Sequence, residues 1–572
     1  MLSFHVSPAG RVAAAGTRAD PFRTPEEARD ALRAARAASA EARGLAAEIV
    51  LHPGLHRLAR TLELGPEDGG ADGAPVVWRG EGEGVVLSGA VELPPPVRRS
   101  DGLWEIPLPA PDARPRQLQR DDRRVAPARY PAEGWINVSA WLPDEAEVLL
   151  PANKVPAGPE EEPELVVHMA WAEAILRLSE ARRTAPPELD WTSPMRLRFA
   201  GPEGALIFRR SFPIRKPGLP CHWQGSPSCL GADGQWARDS ARGCLVYRPR
   251  VGEIPGAGAA FECPRLETLV RVRGTPERPV RHLRFENLTL ADTAWERPSR
   301  SGLLNLQAGL YTLPGTELNH QFVARPPAAF AADHAEALEI VGCVFTRTGA
   351  TALDFHLGVS RSAVRRCTFA ELSGGAISVG EASPPDFEMH QPWLPTDARL
   401  ICDGVVVADN RIARVGLDYP GTCAVFAGFV RGAVIEHNLI EDVPYCGVSL
   451  GWGWTKQPSA LRDNLVRANR IRGAMRVMLD GGAIYTLSSM LGTRIEENHI
   501  TDIATAPHGI GARSYAIYLD EGSDGIEVAR NFVQGVEHGN HHKFNPSGRI
   551  TLDGEGAFNA PEVAARAGPR GE

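Results

Sequence analysis

The sequence predicts an all-β chain folded as a right-handed parallel β-helix, with an N-terminal capping helix and an inserted β-sandwich-like module. Two observations carry this prediction. From residue 338 onward, short apolar strands recur between turns, and one corner of the repeat is always Cys or Asn. Glycine (58 residues) and proline (48 residues) are abundant, which favours many short strands over a helical bundle.

The recurring corner sets the period of the coil. Its members are Cys343, Cys367, Asn410, Asn438, Asn469, Asn498 and Asn531. The last four steps are 28, 31, 29 and 33 residues long, as expected for one coil per repeat with loops of variable length. An Asn at this corner can bond to the backbone of neighbouring coils, so it satisfies turn amides that would otherwise be buried without a partner.

The chain is expected to divide into three regions. Residues 1–100 are predicted to hold the cap and the first coils, 101–275 the inserted, mainly β module, and 276–572 the main β-helix with the functional site. The capping helix is predicted at "TPEEARDALRAARAA", which starts at Thr24 and places Glu27 for a capping box. Proline-rich and acidic pieces interrupt the strand pattern in the second region, and "PERPVRHLRFENLTLADTAW" resumes it.

Composition limits the function classes. The formal net charge of −8 leaves no basic stripe for a phosphate backbone, so nucleic acid is not an expected partner. No apolar run approaches the roughly 20 residues needed to cross a bilayer, so no membrane span is expected. The start "MLSFHVSPAG" lacks the zones of a secretory signal, which favours a cytoplasmic protein, or a secreted one if the chain is a trimmed form.

Two aspartates stand out when the coils are aligned on their corner. One inward strand position is then occupied by Leu353, Ile377, Val425, Val448, Val477 and Ile517. The outward column three residues later holds His356, Gly380, Gly428, Gly451, Asp480 and Asp520. We interpret the glycines as the floor of a groove that ends at Asp480 and Asp520, one rung apart with backbones about 4.8 Å from each other.

Two carboxylates at this distance suit glycosidic bond cleavage, because each raises the pKa of the other and leaves an acid beside a nucleophile or base. Retaining enzymes hold their carboxyls about 5–5.5 Å apart, so adjacent rungs favour retention. We assign Asp480 as nucleophile and Asp520 as acid/base. The alternative is that both are turn residues, since Asp-Gly and Asp-Glu-Gly are turn signals.

Other polar and aromatic residues are candidates for substrate binding. They are Trp452, Trp454, Tyr485, Tyr518, Glu521, His356, His541 and His542. The tryptophans follow the groove floor and could stack on a sugar face, and the tyrosines could donate hydroxyls; each could instead pack a loop against a coil. Glu521 is expected to point inward or into the turn, because adjacent strand residues face opposite ways.

No metal or other cofactor is expected. His538, His541 and His542 lie close in sequence, yet no carboxylate or Cys stands at a familiar ligand spacing, so a polar loop over the groove is the preferred interpretation. Nine cysteines without a Cys-x-x-Cys pair argue against a zinc ribbon and against a dense disulfide framework.

Several stretches carry a family resemblance. "DGGAIYTLSSMLGTRIEENHITDI" and "YAIYLDEGSDGIEVARNFV" resemble the catalytic coils of β-helix enzymes in glycoside hydrolase family 141, and "GTRADPFRTPEEARDALRAAR", "VVLSGAVEL" and "RVAPARYP" are also similar. The resemblance implies a catalytic pair at Asp480 and Asp520, a β-sandwich-like insertion as in family 120 xylosidases, and cleavage of α-L-fucosides or xylans. The tail "HGNHHKFNPSGRITLDGEG" departs from the family pattern.

Two other functions remain open, and carbohydrate is the expected partner in each. A polysaccharide lyase or epimerase on the same fold would need a Ca²⁺ cluster and a Lys or Arg base, but only Lys456 and Lys543 lie near the proposed groove. A non-catalytic carbohydrate-binding solenoid would not need paired acids. The sequence does not indicate an oligomeric state.

Overall fold

The computed structural model describes residues 1–110, 112–184, 193–258, 260–315, 321, 323–384, 387–503, 506, 513–545 and 548–571. Three long parallel sheets wind around one apolar core, and each coil contributes one strand to each sheet. The core residues alternate with outward-facing ones along the strands. This architecture confirms the predicted all-β parallel β-helix.

The three sheets are named here in the order in which a coil visits them. The first sheet contains, in spatial order, Leu2–Arg11, Ala47–Leu51, Val76–Gly80, Leu283–Glu286, Glu339–Val341, Ala363–Arg365, Val406–Ala408, Val434–Glu436, Leu465–Arg467, Ser489–Glu496, Asp524–Ala529 and Ile550–Leu552. The second contains Gly54–Arg57, Val85–Ser88, Thr289–Ala291, Val344–Thr346, Thr368–Ala370, Arg411–Ala413, Leu439–Glu441, Arg470–Arg472, His499–Ile503 and Phe532–Val536. The third contains Leu62–Leu64, Val270–Arg273, Ala328–Asp333, Thr351–Leu357, Ile377–Val379, Val425–Ala427, Val448–Leu450, Gly481–Thr486, Ser514–Leu519 and His541–Lys543. Two short parallel pairs, Val280–Arg281 with Ala335–Glu336 and Cys402–Asp403 with Val430–Arg431, bridge neighbouring coils.

The predicted Asn corner forms a continuous ladder inside the helix. The side-chain amide of Asn438 donates to Oδ1 of Asn469 at 2.9 Å, and Asn469 donates to Asn498 at 3.0 Å. The same geometry extends to Asn410 and Asn531 at the two ends. Each Oδ1 also accepts the backbone N–H of the preceding Asn, so the buried corner amides are satisfied between coils.

The N-terminal end of the core is covered by the helix Pro25–Ala38. Its first turn carries the expected capping box, in which the Thr24 hydroxyl accepts from the Glu27 N–H and the Glu27 carboxylate accepts from the Thr24 N–H. Ala28 and Leu32 are buried against the first coils. The helix therefore follows the first strand and forms where the capping signals predict.

Mainly antiparallel sheets lie between the strand Val85–Ser88, where the coils stop, and Val270–Arg273, where they resume. We call this insertion the module. Its largest sheet contains Arg129–Tyr130, Pro220–Gln224, Glu164–Met169, Ala172–Arg183, Pro194–Phe199, Glu147–Pro151 and Ala140–Leu142, with Ile136–Asn137 beside it and Leu303–Gln307, Leu310–Thr312 and Val323–Ala324 attached from the β-helix region. Two smaller sheets contain Ala126–Pro127, Gln235–Asp239, Cys244–Tyr247, Trp104–Pro107 and Val97–Arg98, and Arg123–Arg124, Gln119–Arg120, Phe261–Pro264 and Ala90–Glu92.

Helices are short apart from the cap. The described α-helices after it are Ala40–Arg43, Glu203–Arg209 and Arg297–Ser301, and the 3₁₀ turns are Pro66–Asp68, Ala152–Lys154, Pro159–Glu161, Pro227–Cys229, Ala398–Leu400, Gly554–Ala557 and Pro561–Ala565. Among the helices of the described ranges, none has the length and apolarity to cross a membrane.

The sequence alignment of the coils was wrong at one strand. Val448 pairs with Ile484, and Ile484 pairs with Ile517, so Ile484 and not Val477 occupies the inward position. Residues 473–480 form the loop that precedes Gly481–Thr486. This loop buries Met478 and Leu479 as completely as a strand would, which is why its apolar pattern resembled one.

Candidate active site

Asp480 and Asp520 lie at opposite ends of two neighbouring strands, which corrects the expectation that they occupy equivalent rungs. Gly481 pairs with Ser514 and Thr486 pairs with Leu519. Asp480 therefore directly precedes one strand, in a left-handed turn with φ of +61°, whereas Asp520 directly follows the other. The two aspartates therefore do not occupy equivalent positions of a repeat.

Two tyrosines nevertheless connect the aspartates to one place on the outer face of the third sheet. Tyr485 and Tyr518 are register partners on these strands, with ring centroids 5.4 Å apart. Tyr485 donates its hydroxyl to Oδ2 of Asp520, and Tyr518 donates to Oδ1 of Asp480 at 3.1 Å. The bonds are crossed: each tyrosine holds the carboxylate that flanks the other strand.

The protonation of both carboxyls is shifted by their surroundings. Burial raises the pKa of Asp520 to about 7; the charge of Asp480 adds to the rise, and the hydrogen bond from Tyr485 opposes it. Burial also raises the pKa of Asp480, against the hydrogen bond from Tyr518 and the nearby His542. Burial, followed by the charge of Asp520, raises the pKa of Tyr485 well above its usual range, so it stays a neutral donor. The pair can thus present a protonated carboxyl near neutral pH.

His542 belongs to this site. It is the register partner of Tyr518 on the next strand, and its ring lies edge-on to Tyr518 at 4.7 Å and stacks on Tyr515 at 5.0 Å. Burial lowers its pKa, while Asp480 acts in the opposite direction. On the other side, the buried Tyr445 donates its hydroxyl to the backbone carbonyl of Asp480 at 3.1 Å, which holds the turn before the strand.

The two predicted stacking tryptophans have different environments. Trp452 is only 2% exposed and packs edge-on against Phe426, so it cannot offer a face to a sugar. Trp454 is half-buried, its ring lies 5.2 Å from that of His390, and its backbone adjoins Gly522, two residues after Asp520. Trp454 therefore remains a candidate wall of the site, whereas Trp452 is a packing residue.

The glycine column is not a groove floor. A Cβ at Gly451 would clash with the Leu487 carbonyl oxygen, and one at Gly428 would clash with the Glu381 carbonyl oxygen. At Gly380 the obstacle is the side chain of Val430. These glycines permit close packing of protein backbone at the ends of the strands, so the prediction of a ligand surface there was wrong.

Three further predicted residues lie apart from the tyrosine pair. His356 bonds to Asp333 at 2.9 Å and to Glu381 at 3.1 Å; burial opposes its charge, but these carboxylates raise its pKa to about 9. Its strand lies four positions from Gly481–Thr486 in the third sheet, or about 19 Å at the usual strand spacing. His541 is the register partner of the inward Ile517 and stacks on Phe558. Glu521 is exposed in the turn after Asp520, and its backbone carbonyl accepts from Ser488.

The module also reaches the site, which the sequence did not indicate. The carbonyl of Ala170, in the turn between Glu164–Met169 and Ala172–Arg183, accepts from the N–H of Leu479 at 2.9 Å, one residue before Asp480. The adjacent Trp171 is half-buried and packs on the β-helix core. In the sequence, the Trp in this tight turn is a local indication that the turn contacts another part of the protein. The sequence of the insertion does not indicate which coil the turn contacts.

Within the part of the chain that the structure describes, no group of three or more His, Cys, Asp or Glu side chains is arranged to hold a metal ion. His541 and His542 are consecutive strand residues and face opposite ways. All nine cysteines are buried, and none of them forms a disulfide bond. The chemical groups at the site are therefore carboxyls, hydroxyls, an imidazole and aromatic rings.

Comparison with solved structures finds a full-length relative. A structure named as a glycoside hydrolase superposes with a TM-score of 0.90 at 28% identity, and the match covers 100% of this chain and 99% of the other. A complex of XylC with xylose matches with a TM-score of 0.48 at 12% identity, covering 95% of this chain and 70% of that one. A GH136 lacto-N-biosidase from Eubacterium ramulus matches with a TM-score of 0.40 at 11% identity, covering 96% and 68%.

No family model and no curated protein matches the sequence. The full-length match includes the inserted module as well as the coils, because it covers both chains almost completely. Both the fold and this similarity over the whole length lead to one class of protein. The chain is a parallel β-helix glycoside hydrolase.

Proposed function

We propose that the enzyme cleaves its glycosidic bond with Asp480 and Asp520 as the two catalytic carboxyls. The observation that carries the proposal is the pair of crossed hydrogen bonds, which brings both carboxyls to neighbouring tyrosine hydroxyls. Glycoside hydrolysis needs one carboxyl to protonate the leaving oxygen and a second to act on the anomeric carbon or on water. The site offers these groups without a metal ligand set among its described residues.

Asp520 is the general acid in this proposal. With a pKa of about 7 it is about half protonated at neutral pH and largely protonated below it, so it can give its proton to the leaving oxygen. Asp480 acts as the nucleophile. Its backbone is held by Tyr445 and its carboxylate by Tyr518, so its orientation is set before substrate binds.

The stereochemical outcome we propose is retention. The argument from equivalent rungs no longer applies, but the tyrosines supply a different one. Tyr485 and Tyr518 stand on adjacent strands, which are about 4.8 Å apart, and each hydroxyl is bonded to one carboxylate. This anchoring favours the shorter carboxyl separation of retaining enzymes. On the sequence resemblance we propose an α-L-fucoside or a xyloside as substrate.

The test is hydrolysis of aryl glycosides and plant oligosaccharides, including L-fucosides and xylosides, with the anomer of the first product followed by NMR. The variants are Asp480→Asn and Asp520→Asn, and the matched control is Asp502→Asn, an exposed carboxyl that touches neither tyrosine. Asp480→Asn is expected to lower kcat at least 10³-fold on every substrate. Asp520→Asn should lose far more activity on poor leaving groups than on dinitrophenyl glycosides, which need no protonation.

Each other outcome is informative. Inverted product would keep the hydrolase and refute the retaining mechanism. Unsaturated products absorbing in the ultraviolet would identify a lyase. Wild-type rates in both variants would place the catalytic groups elsewhere.

A further inference from the structure

A cleft of about 500 Å³ runs between the module and the β-helix, on the side of the coil that leads to Asp480. Its β-helix wall is built from the same turn in three successive coils, between the second and third sheets. Those turns contribute Leu417, Pro444 and Val477 to the lining. The last of these turns ends at Asp480, so Val477, which lines the cleft, lies three residues before this carboxyl in the chain.

The module wall presents an indole to this cleft. Trp135 is 37% exposed, although most large apolar side chains of the module are buried. Its ring is held edge-on by His168 at 4.5 Å and by His222 at 5.6 Å, and the Arg129 guanidinium lies 4.9 Å from its centroid. An indole fixed by three neighbours and still accessible is a preorganised surface.

Polar groups face the cleft from both walls. On the β-helix side, the Arg476 guanidinium and the Asp442 carboxylate lie 3.2 Å apart and are both well exposed. On the module side, His168, His222 and Gln224 line the cleft. A cavity of this size with an aromatic surface and a few convergent polar groups is typical of a small-molecule site.

The charges of the cleft determine the ligand class. Arg129 donates to the carbonyls of Pro131 at 2.5 Å and Gly134 at 2.6 Å, so its guanidinium is already engaged. Arg476 is paired with Asp442, and Asp418 is paired with Arg124. A carboxylate-bearing sugar would have to compete with Asp442 for Arg476 and would meet the unfavourable charges of Asp442 and Asp418, whereas a neutral sugar can use the indole face and the exposed polar pair without displacing a salt bridge.

We propose that this cleft is a distal subsite that binds one neutral pentose or hexose ring of the oligosaccharide, with Trp135 as the stacking surface. The proposal rests on the function proposed above and adds to it that the substrate is longer than a disaccharide. It also gives the module a role in binding, since the site is formed only where module and coils meet.

The test uses full-length Asp480→Asn protein, in which cleavage is blocked, and measures binding by calorimetry. The probes are xylobiose, xylotetraose, a fucosylated xyloglucan oligosaccharide and a xylotetraose that carries glucuronic acid. Of the two longer neutral probes, xylotetraose and the xyloglucan oligosaccharide, the one that binds the protein with wild-type Trp135 more tightly is the reference. Trp135→Ala is expected to weaken its binding at least tenfold and to weaken xylobiose binding much less. Trp135→Phe should restore part of the loss. The control is Trp141→Phe, a module indole that packs on Phe208 outside the cleft.

Equal loss of disaccharide and tetrasaccharide binding, or no loss, would overturn the subsite. So would failure of every probe to bind at millimolar concentration, and stronger binding of the glucuronate probe would overturn the neutral class. The proposed function fails separately: Trp135-dependent binding by a protein that cleaves no glycoside would keep the subsite and remove the hydrolytic mechanism. Cleavage of long substrates that does not depend on Trp135 would keep the hydrolytic mechanism and remove the subsite. Thermal melting of each variant distinguishes lost binding from lost fold.

Discussion

At the scale of single residues, the state of each aspartate depends on a tyrosine from the other strand. The Tyr485 hydroxyl stabilises the ionised form of Asp520, and the Tyr518 hydroxyl does the same for Asp480. Burial acts against both, so each pKa is a balance between desolvation and one hydrogen bond. Removing a single hydroxyl should therefore move one limb of the pH profile and leave the ring packing in place.

The first prediction concerns Tyr485→Phe. Loss of its hydrogen bond removes the contribution that lowers the pKa of Asp520, so the pKa should rise further above about 7. Since Asp520 must be protonated to act, the alkaline limb of kcat/KM is expected to move to higher pH by roughly one unit. A pH–rate profile from pH 4 to 10 measures this. Tyr515→Phe is the control, because its ring stacks on His542 without bonding to either aspartate; a downward shift in Tyr485→Phe would contradict the assignment.

At the scale of elements, the Asn ladder stabilises the turns at one corner of the coils, and these turns position the strands on either side. Asn469 is fully buried, its Oδ1 accepts both the N–H and the Nδ2 of Asn438, and its own Nδ2 donates to the Ile435 carbonyl at 2.8 Å. A ladder of this kind repeats its bonds in each coil, so one missing member removes an acceptor from the preceding Asn and a donor from the Oδ1 of the following Asn.

The second prediction is that Asn469→Ala lowers the free energy of unfolding by about 2–4 kcal/mol, because two buried donors of Asn438 lose their acceptor. Urea unfolding followed by circular dichroism measures the loss. Asn559→Ala, an exposed Asn outside the ladder, should stay within about 0.5 kcal/mol of the wild type. Equal effects at the two positions would show that the ladder is not a source of stability.

The third prediction concerns the module turn beside the catalytic strand. Trp171 packs on the β-helix core next to the Ala170–Leu479 hydrogen bond. Trp171→Ala removes a partly exposed ring at the edge of the site and should raise KM about tenfold with a smaller change in kcat. Steady-state kinetics measure both constants, and Trp141→Ala tests whether any lost indole in the module has the same effect. An unchanged KM would place the ring outside the substrate path.

At the scale of the whole molecule, buried polar contacts join the module to the coils. Glu173 of the module accepts from the Gly421 N–H at 2.6 Å, and Arg210 donates to the Asn305 carbonyl at 2.7 Å. Both charged side chains are fully buried. Burial raises the pKa of Glu173 to about 8 and lowers that of Arg210 to about 9.

The fourth prediction follows from that raised pKa. Glu173 binds its proton more tightly in the folded state than unfolded, where its pKa is about 4.3. The resulting stabilisation is complete below about pH 4.3 and is lost as the pH rises through about 8. Glu173→Gln, which stays neutral, should melt near the wild-type temperature at pH 5 and above it at pH 9. Parallel melting-temperature curves from pH 5 to 10 would contradict this.

Some features of the molecule can be predicted from the sequence and others cannot. The period, the Asn corner and the capping box are set by residues close in the chain, and all three were predictable. Val477 was misplaced because a buried loop and a buried strand have the same apolar pattern. Trp452 was misjudged for a related reason, since the sequence shows that an indole is present but not which face its neighbours cover.

The sequence by itself determined the coil architecture, because local periodicity and short-range turn chemistry encode the repeat. It proposed Asp480 and Asp520 from a coil alignment that the structure corrects at Asp480. Only the tertiary structure decided the register of Gly481–Thr486, the crossed bonds between Tyr485, Tyr518 and the aspartates, and the docking of the module beside Asp480. Those features depend on contacts between residues far apart in the chain. Their geometry is set by how complete coils and the module pack together, which no local pattern records.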